Sequence, residues 1–436
     1  MRNLLLLSTA FLVTSLMAQT APSKKKAADP AAVHTSAIVV DTHADTPQRF
    51  LDEGFDLATD TPISEGHIDF GKVKKGNLGA EFFSIWVEPD ANKGHYAKRA
   101  FELIDSVLQQ AQRHPGEMTM AYSAADIEKA RRGPKKKLAA LMGVEGGHAI
   151  ENSLPILRDF YRLGVRYMTL TWSNTNDWAD SSGDINDEKI QHHDGLTPFG
   201  KEVVREMNKL GMMVDISHVS DRTFYKAVLM SRAPVIASHS SARALTNHPR
   251  NMTDDMLRAV ERNGGVVMVN FFPAFIDEEY RKAFTAQSKE RNAAVEAAEK
   301  KWAAEHPGQQ VPWWVSDRTG KEWAAKIPRP PLKSLIDHID HIAKVAGVDH
   351  VGLGSDFDGV PCLPEGIDSA ADLPKITAEL MKRGYSPGDV KKILGGNLLR
   401  VFREVERISQ QIKQEEASGF RRDPALDDKP QPEPKK

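Results

Sequence analysis

A chain of 436 residues is long enough for one large domain or two ordinary ones, and 40% hydrophobic with 27% charged residues is a normal globular mixture. The formal net charge of −2 supplies no global basic field to draw the chain to nucleic acid or anionic membrane, so a small substrate is expected. The single cysteine, Cys362, excludes an intrachain disulfide, and stability has to come from a buried core.

Arg2 followed by the apolar run Leu4–Met17 reads as an export signal, because the run is short for a bilayer span of about 20 residues. Residues 1–18 are therefore expected to be a signal peptide cleaved at Ala18. The mature protein is expected in the periplasm or outside the cell, with no stable membrane anchor. A Lys/Ala/Pro-rich linker follows over residues 19–35. Short apolar runs then recur at Ala37–Asp41, Ala80–Val87, Leu138–Val144 and Val165–Leu170. They continue at Met212–Ile216, Pro234–Ala237, Gly265–Phe271 and His350–Gly354. Near-continuous apolar runs suit parallel strands buried on both faces, and helical patterns such as Leu154–Leu163 and Lys201–Leu210 lie between them.

Eight such βα units predict an α/β chain folded as a (β/α)8 TIM barrel over residues 36–412. No glycine-rich phosphate fingerprint follows the first run, which argues against a dinucleotide fold. Residues 276–331, with Trp302, Trp313, Trp314 and Trp323, break the spacing as an insertion before the eighth strand. The stretch is either a lid over the barrel mouth or a surface elaboration. The charged, proline-containing end, residues 413–436, reads as a disordered tail.

Functional groups of such barrels gather at the C-terminal ends of strands. His43 and Asp45 follow the first run, Glu145 the third, His218 the fifth, His239 the sixth and Asp356 the eighth. Each alone has an ordinary reading: a hydrogen-bonded His–Asp pair, a carboxylate at a helix N-terminus, a satisfied histidine. Together, at one end of five strands, they argue for a metal site. Strand alternation puts His43 and Asp45 on one side. Imidazole and carboxylate suit zinc or a similar divalent ion, and Glu145 has two oxygens with which to bridge two ions. Five ligands exceed what one catalytic zinc normally uses, so a binuclear site is expected. His148 is expected to support the ligands from behind. His192 and His193 are expected to face solvent in a polar loop, and His338 and His341 to lie on the surface of a charged helix.

The ordered segments Val40–Asp45 (VDTHAD), Gly143–His148 (GVEGGH), Val214–His218 (VDISH), Ala237–Ala242 (ASHSSA), His248–Asn251 (HPRN), Val351–Gly359 (VGLGSDFDG) and Gly396–Phe402 (GNLLRVF) resemble the membrane (renal) dipeptidase family of zinc peptidases. That family belongs to the amidohydrolase superfamily, and the resemblance covers Ser36–Ile408. It implies two Zn2+ ions, one on His43 and Asp45, the other on His218 and His239, with Glu145 between them. It implies hydrolysis of dipeptides, including ones with a C-terminal D-residue, by attack of a metal-bridging hydroxide. Asp356 would relay the proton to the leaving amine, with Asp358 as the local alternative, and Arg250 would pair with the substrate's terminal carboxylate. A homodimer is implied as well.

The strand-4 motif departs from the family. A histidine follows Leu-Thr there in the family, whereas residues 170–174 read LTWSN, which places Trp172 in the substrate-contacting position. Indole donates one hydrogen bond but carries no charge. The change leaves open another amide hydrolase, an N-acyl-amino-acid deacylase or a lactamase, beside the dipeptidase reading. A non-catalytic metal-binding protein is the remaining alternative, disfavoured by the complete ligand set.

Overall fold

Nine strands form the sheet of the protein, a computed structural model that describes residues 28–62 and 65–419. They are β1 (Val39–Ala44), β2 (Leu78–Trp86), β3 (Met118–Met120), β4 (Leu138–Glu145), β5 (Val165–Thr169), β6 (Met213–Asp215), β7 (Ile236–Ala237), β8 (Val266–Val269) and β9 (Val351–Leu353). Eight pair in the order β1-β2-β4-β5-β6-β7-β8-β9, every pair parallel. The ends of the circuit meet where Asp45 N donates to the Phe357 carbonyl at 2.8 Å and Asp356 N to the His43 carbonyl at 3.0 Å. The result is a nearly closed, TIM-like barrel. β3 is not anticipated by the apolar pattern. It pairs with the first residues of β4, outside the circuit, because β4 takes β5 as its neighbour only from Met142 onward.

The alternation along β4 shows how sequence divides the two faces. Leu138, Ala140, Met142 and Val144 pack outward under the helices, while Ala139 and Leu141 fill the lower lumen. Higher up the same inward face come Gly143 and Glu145. The bottom of the lumen is closed by the helix Asn397–Ala417, whose Leu398, Phe402 and Val405 join Val40, Ala80 and Phe82 in one buried cluster. That helix runs into the stretch assigned to the tail. Ile412 is buried, and Glu415 and Glu416 pair with Arg232 and Lys209, each at 2.8 Å, so residues 413–417 are helical. Likewise, a helix occupies Pro30–Ser36 within the expected linker, capped by the Asp29 side chain and anchored by buried Val33 and His34. The expected signal peptide and the rest of the tail lie outside the described residues. Among the described residues no helix is long and apolar enough to cross a membrane.

Candidate metal centre and its cavity

Gly143 lacks a side chain where the Tyr167 ring lies; a Cβ there would overlap the ring. The tyrosine hydroxyl thereby reaches the centre of the barrel, donating to the Thr42 carbonyl at 3.0 Å and standing 2.8 Å from His43 Nδ1. Its proton being committed to Thr42, it accepts from His43 Nδ1–H, which leaves the Nε2 lone pair facing the mouth. The same logic fixes His239. Asp215 accepts from Ser238 Oγ at 2.6 Å and from Thr169 Oγ1 at 2.5 Å. Ser238 Oγ then accepts from His239 Nδ1–H at 2.8 Å, and again Nε2 is bare. Such partners orient ring ligands and fix their tautomer.

These two nitrogens and Nε2 of His218 converge on Glu145. His218 Nε2 lies 2.9 Å and His239 Nε2 3.4 Å from Oε1, and His43 Nε2 lies 3.4 Å from Oε2. His218 Nε2 and His239 Nε2 are 3.0 Å apart, while Asp45 Oδ2 is 3.7 Å from His43 Nε2. Lone pairs pointed at one another in a buried pocket repel unless a cation lies among them. His43, Glu145 and His239 each bring a ligand atom within 4.8 Å of the others, as do His43, Asp45 and Asp356. The donor set fits a divalent metal, since imidazole and carboxylate are what such ions take. Burial pushes the pKa of His218 and His239 well below the usual histidine value, which keeps both rings neutral, the form that ligates. Burial raises Glu145 to about 7. At His43 burial disfavours the charged ring, but Tyr167, Glu145 and Asp45 outweigh it and hold the pKa well above the usual value. The pocket thus calls for positive charge.

Asp45 lies one residue past the end of β1, in a conformation that starts the helix Thr46–Asp52, so its approach to His43 does not come from strand alternation alone. Gly359 keeps the space beside it open, since a Cβ there would strike both Asp45 and Asp356. Asp356 accepts from Asn270 Nδ2 at 2.8 Å, and burial raises its pKa. Asp358 turns away to accept from Thr46 Oγ1 at 2.6 Å and His67 N at 2.7 Å, which leaves Asp356 as the carboxylate at the centre. His218, Asp356 and Asp358 all have left-handed backbone (φ 64°, 64° and 62°). Strain of this kind collects at functional sites.

A cavity of about 650 Å³ opens above the cluster. Asp45, Glu145, His218 and Asp356 line its floor. Arg250 lines one side, buried, donating to the His239 carbonyl at 3.1 Å and to Ser240 Oγ at 3.3 Å, with Nε unpartnered. Burial lowers its pKa to about 10, still charged at neutral pH. Trp172 lines the wall, its ring 5.1 Å from that of Trp86 and 6.3 Å from that of His218. The insertion forms the opposite wall, through Phe284, Arg291, Val295, Trp313 and Asp317. It therefore borders the cavity and is not a remote elaboration.

Other histidines behave differently from expectation. His338 is buried, not on the surface; its Nδ1 accepts from Ala242 N at 3.0 Å and so braces the loop that carries Arg250. His341 is half-buried and paired with Asp254 at 2.7 Å. His192 and His193 are half-buried, the latter donating to the Asn176 carbonyl at 2.9 Å. His148 donates to the Val87 carbonyl at 2.8 Å and braces the end of β2 rather than a ligand. Tyr167, Asp215 and Asn270 are supporting residues that the strand-end pattern misses. Asp215 does leave a signal, an acid inside an otherwise apolar strand.

The profile of the family described as membrane dipeptidase, peptidase family M19, matches residues 28–416. The dipeptidase tcpJ of Claviceps purpurea is 35% identical over 80% of this chain and 71% of its own. The probable dipeptidase PvdM from Pseudomonas aeruginosa superposes with a TM-score of 0.70 at 27% identity, over 87% of this chain and 98% of that one. A metallopeptidase from Rhodobacter sphaeroides, liganded with a phosphinate mimic of the dipeptide L-Ala-D-Ala, shares the fold at a TM-score of 0.66 and 24% identity, over 85% and 100%. With the buried His/Glu/Asp cluster at the mouth of the barrel, these matches agree on one conclusion: the chain belongs to the membrane dipeptidase family M19 and is a metal-dependent dipeptidase.

Proposed function

We propose that the protein is a binuclear zinc dipeptidase, with His43 and Asp45 holding one ion, His218 and His239 the other, and Glu145 both. The observation that carries this reading is the convergence of three histidine Nε2 atoms on the two oxygens of one glutamate. Ions bound there would activate a water and polarise the scissile carbonyl. Asp356, oriented by Asn270, takes the water's proton and delivers it to the leaving amine. Arg250, which lines the cavity and stays charged at neutral pH, receives the terminal carboxylate of the substrate. Trp172 presents its ring, and no charge, to the substrate.

The phosphinate mimic bound by the Rhodobacter relative supports dipeptides with a C-terminal D-residue as substrates. Assay of L,L- and L,D-dipeptides with the zinc-loaded enzyme tests the reading, together with metal analysis. Turnover with about two zinc ions per chain is expected; no hydrolysis of any member would sink it. Export and a homodimeric state rest on the Leu4–Met17 run and on the family resemblance, respectively. Finding the full-length protein in the cytoplasm of its host would overturn export.

A further inference from the structure

We infer that Arg291 forms a second anion subsite in the cavity, which selects dipeptides bearing a carboxylate at the end of a side chain. Arg291 sits in the insertion, on the helix Ser288–Glu305, and lines the same cavity as the metal cluster. It is half-buried, and among the described residues no carboxylate acts on it. Its Nη1 donates to the Phe284 carbonyl at 2.8 Å, and its guanidinium lies 3.8 Å over the Phe284 ring. Those two contacts fix the fork and leave its other donors free. A desolvated guanidinium held in place without an anion is a ready receptor for one, since less side-chain freedom is lost on binding.

The space between the two arginines sets the shape of the ligand. Arg250 lies 5.4 Å over the Phe275 ring; Phe275 meets Phe272 at 5.1 Å, and Phe272 meets Phe284 at 5.3 Å. An apolar aromatic run therefore separates the subsite of the main-chain carboxylate from Arg291. A substrate that satisfies both carries its second carboxylate beyond a methylene segment that packs on these rings. Glutamyl and α-aminoadipyl side chains have that form, whereas an alanyl side chain leaves Arg291 without a partner. The inference rests on the dipeptidase reading for its choice of probes, but a subsite is a binding property and can be tested without turnover.

The test uses zinc-loaded protein and matched ligand pairs: L-Ala-D-Glu against L-Ala-D-Gln, L-Glu-L-Ala against L-Gln-L-Ala, and the α-aminoadipyl acids against their amides. Affinity is measured calorimetrically on the Asp356→Asn variant, shown by metal analysis to keep its zinc, and kcat/KM on the wild type. The expected result is an acid preference of about tenfold or more in at least one position of the dipeptide. Arg291→Gln should bring that acid-to-amide ratio near unity, through KM and affinity. Equal binding of acids and amides by the wild-type pocket overturns the inference, as does a preference that survives Arg291→Gln. If no dipeptide is turned over but the affinity ratio and its loss are seen, the dipeptidase reading fails and the subsite stands.

Discussion

Tyr167 shows how much of a metal centre is set by residues that do not touch the metal. Its hydroxyl fixes the tautomer of His43, and the ring reaches that position only because Gly143 gives way. Tyr167→Phe removes the hydroxyl without opening a large cavity. Metal affinity is expected to fall about 10–100-fold, as when a partner behind a ligating histidine is lost. Competition with a chelator measures this, and an unchanged affinity would mean that the hydroxyl does not orient the ligand. Asp356→Asn keeps the shape and can keep the bond from Asn270, since an amide oxygen still accepts, but it cannot take up a proton. A fall in kcat of about 10²–10⁴-fold is expected, with metal content retained. Equal loss of zinc and activity would reassign Asp356 from proton relay to ligand.

At the scale of elements, catalysis and stability are separated along the barrel axis. The insertion borders the cavity at the upper end, so Trp313→Ala should change substrate preference by widening the cavity while the melting temperature moves little. Unchanged KM values across a dipeptide panel would remove the insertion from substrate selection. The closing helix guards the other end. Phe402 is fully buried against the bottom of the lumen, and Phe402→Ala is expected to cost about 3–5 kcal/mol of stability. Activity per folded molecule should persist, because the helix lies at the opposite end from the cluster; urea denaturation beside a dipeptide assay separates the two readouts.

The same axis explains what the sequence made legible. The residues proposed as ligands stand at strand ends, and strands buried on both faces advertise themselves as apolar runs, so His43, Glu145, His218 and His239 are legible from the sequence alone. Tyr167 could not, because a tyrosine within an apolar strand looks like core until the glycine opposite it is known. β3 is hidden because Met118–Met120 is interrupted by Thr119 and only partly buried, so it makes no apolar run. His338 looked exposed because its helix is charged, yet that helix turns His338 toward the loop between β7 and β8.

Over the whole molecule, buried neutral histidines away from the metal tie stability to pH. His67 Nδ1 accepts from Asp358 N at 2.8 Å and His338 Nδ1 from Ala242 N at 3.0 Å, bonds that a protonated Nδ1 cannot accept. Burial lowers the pKa of each from 6.5 to about 4. Between those values the unfolded chain takes up a proton that the folded chain refuses. The stabilising contribution is therefore complete above the unfolded pKa of 6.5 and is lost as pH falls toward 4. Each histidine adds a slope of up to about 1.4 kcal/mol per pH unit in that window. The metal ligands also titrate on acidification, so the contribution of His338 is best isolated as a difference. Urea unfolding of metal-free wild type and His338→Gln at about pH 7 and about pH 5 should give the variant the shallower loss of stability. Its absolute stability is free to be lower, since only the change between the two pH values bears on the linkage. Parallel losses in the two proteins would show that His338 is already protonated in the folded state, and that its bond from Ala242 is not what holds the Arg250 loop.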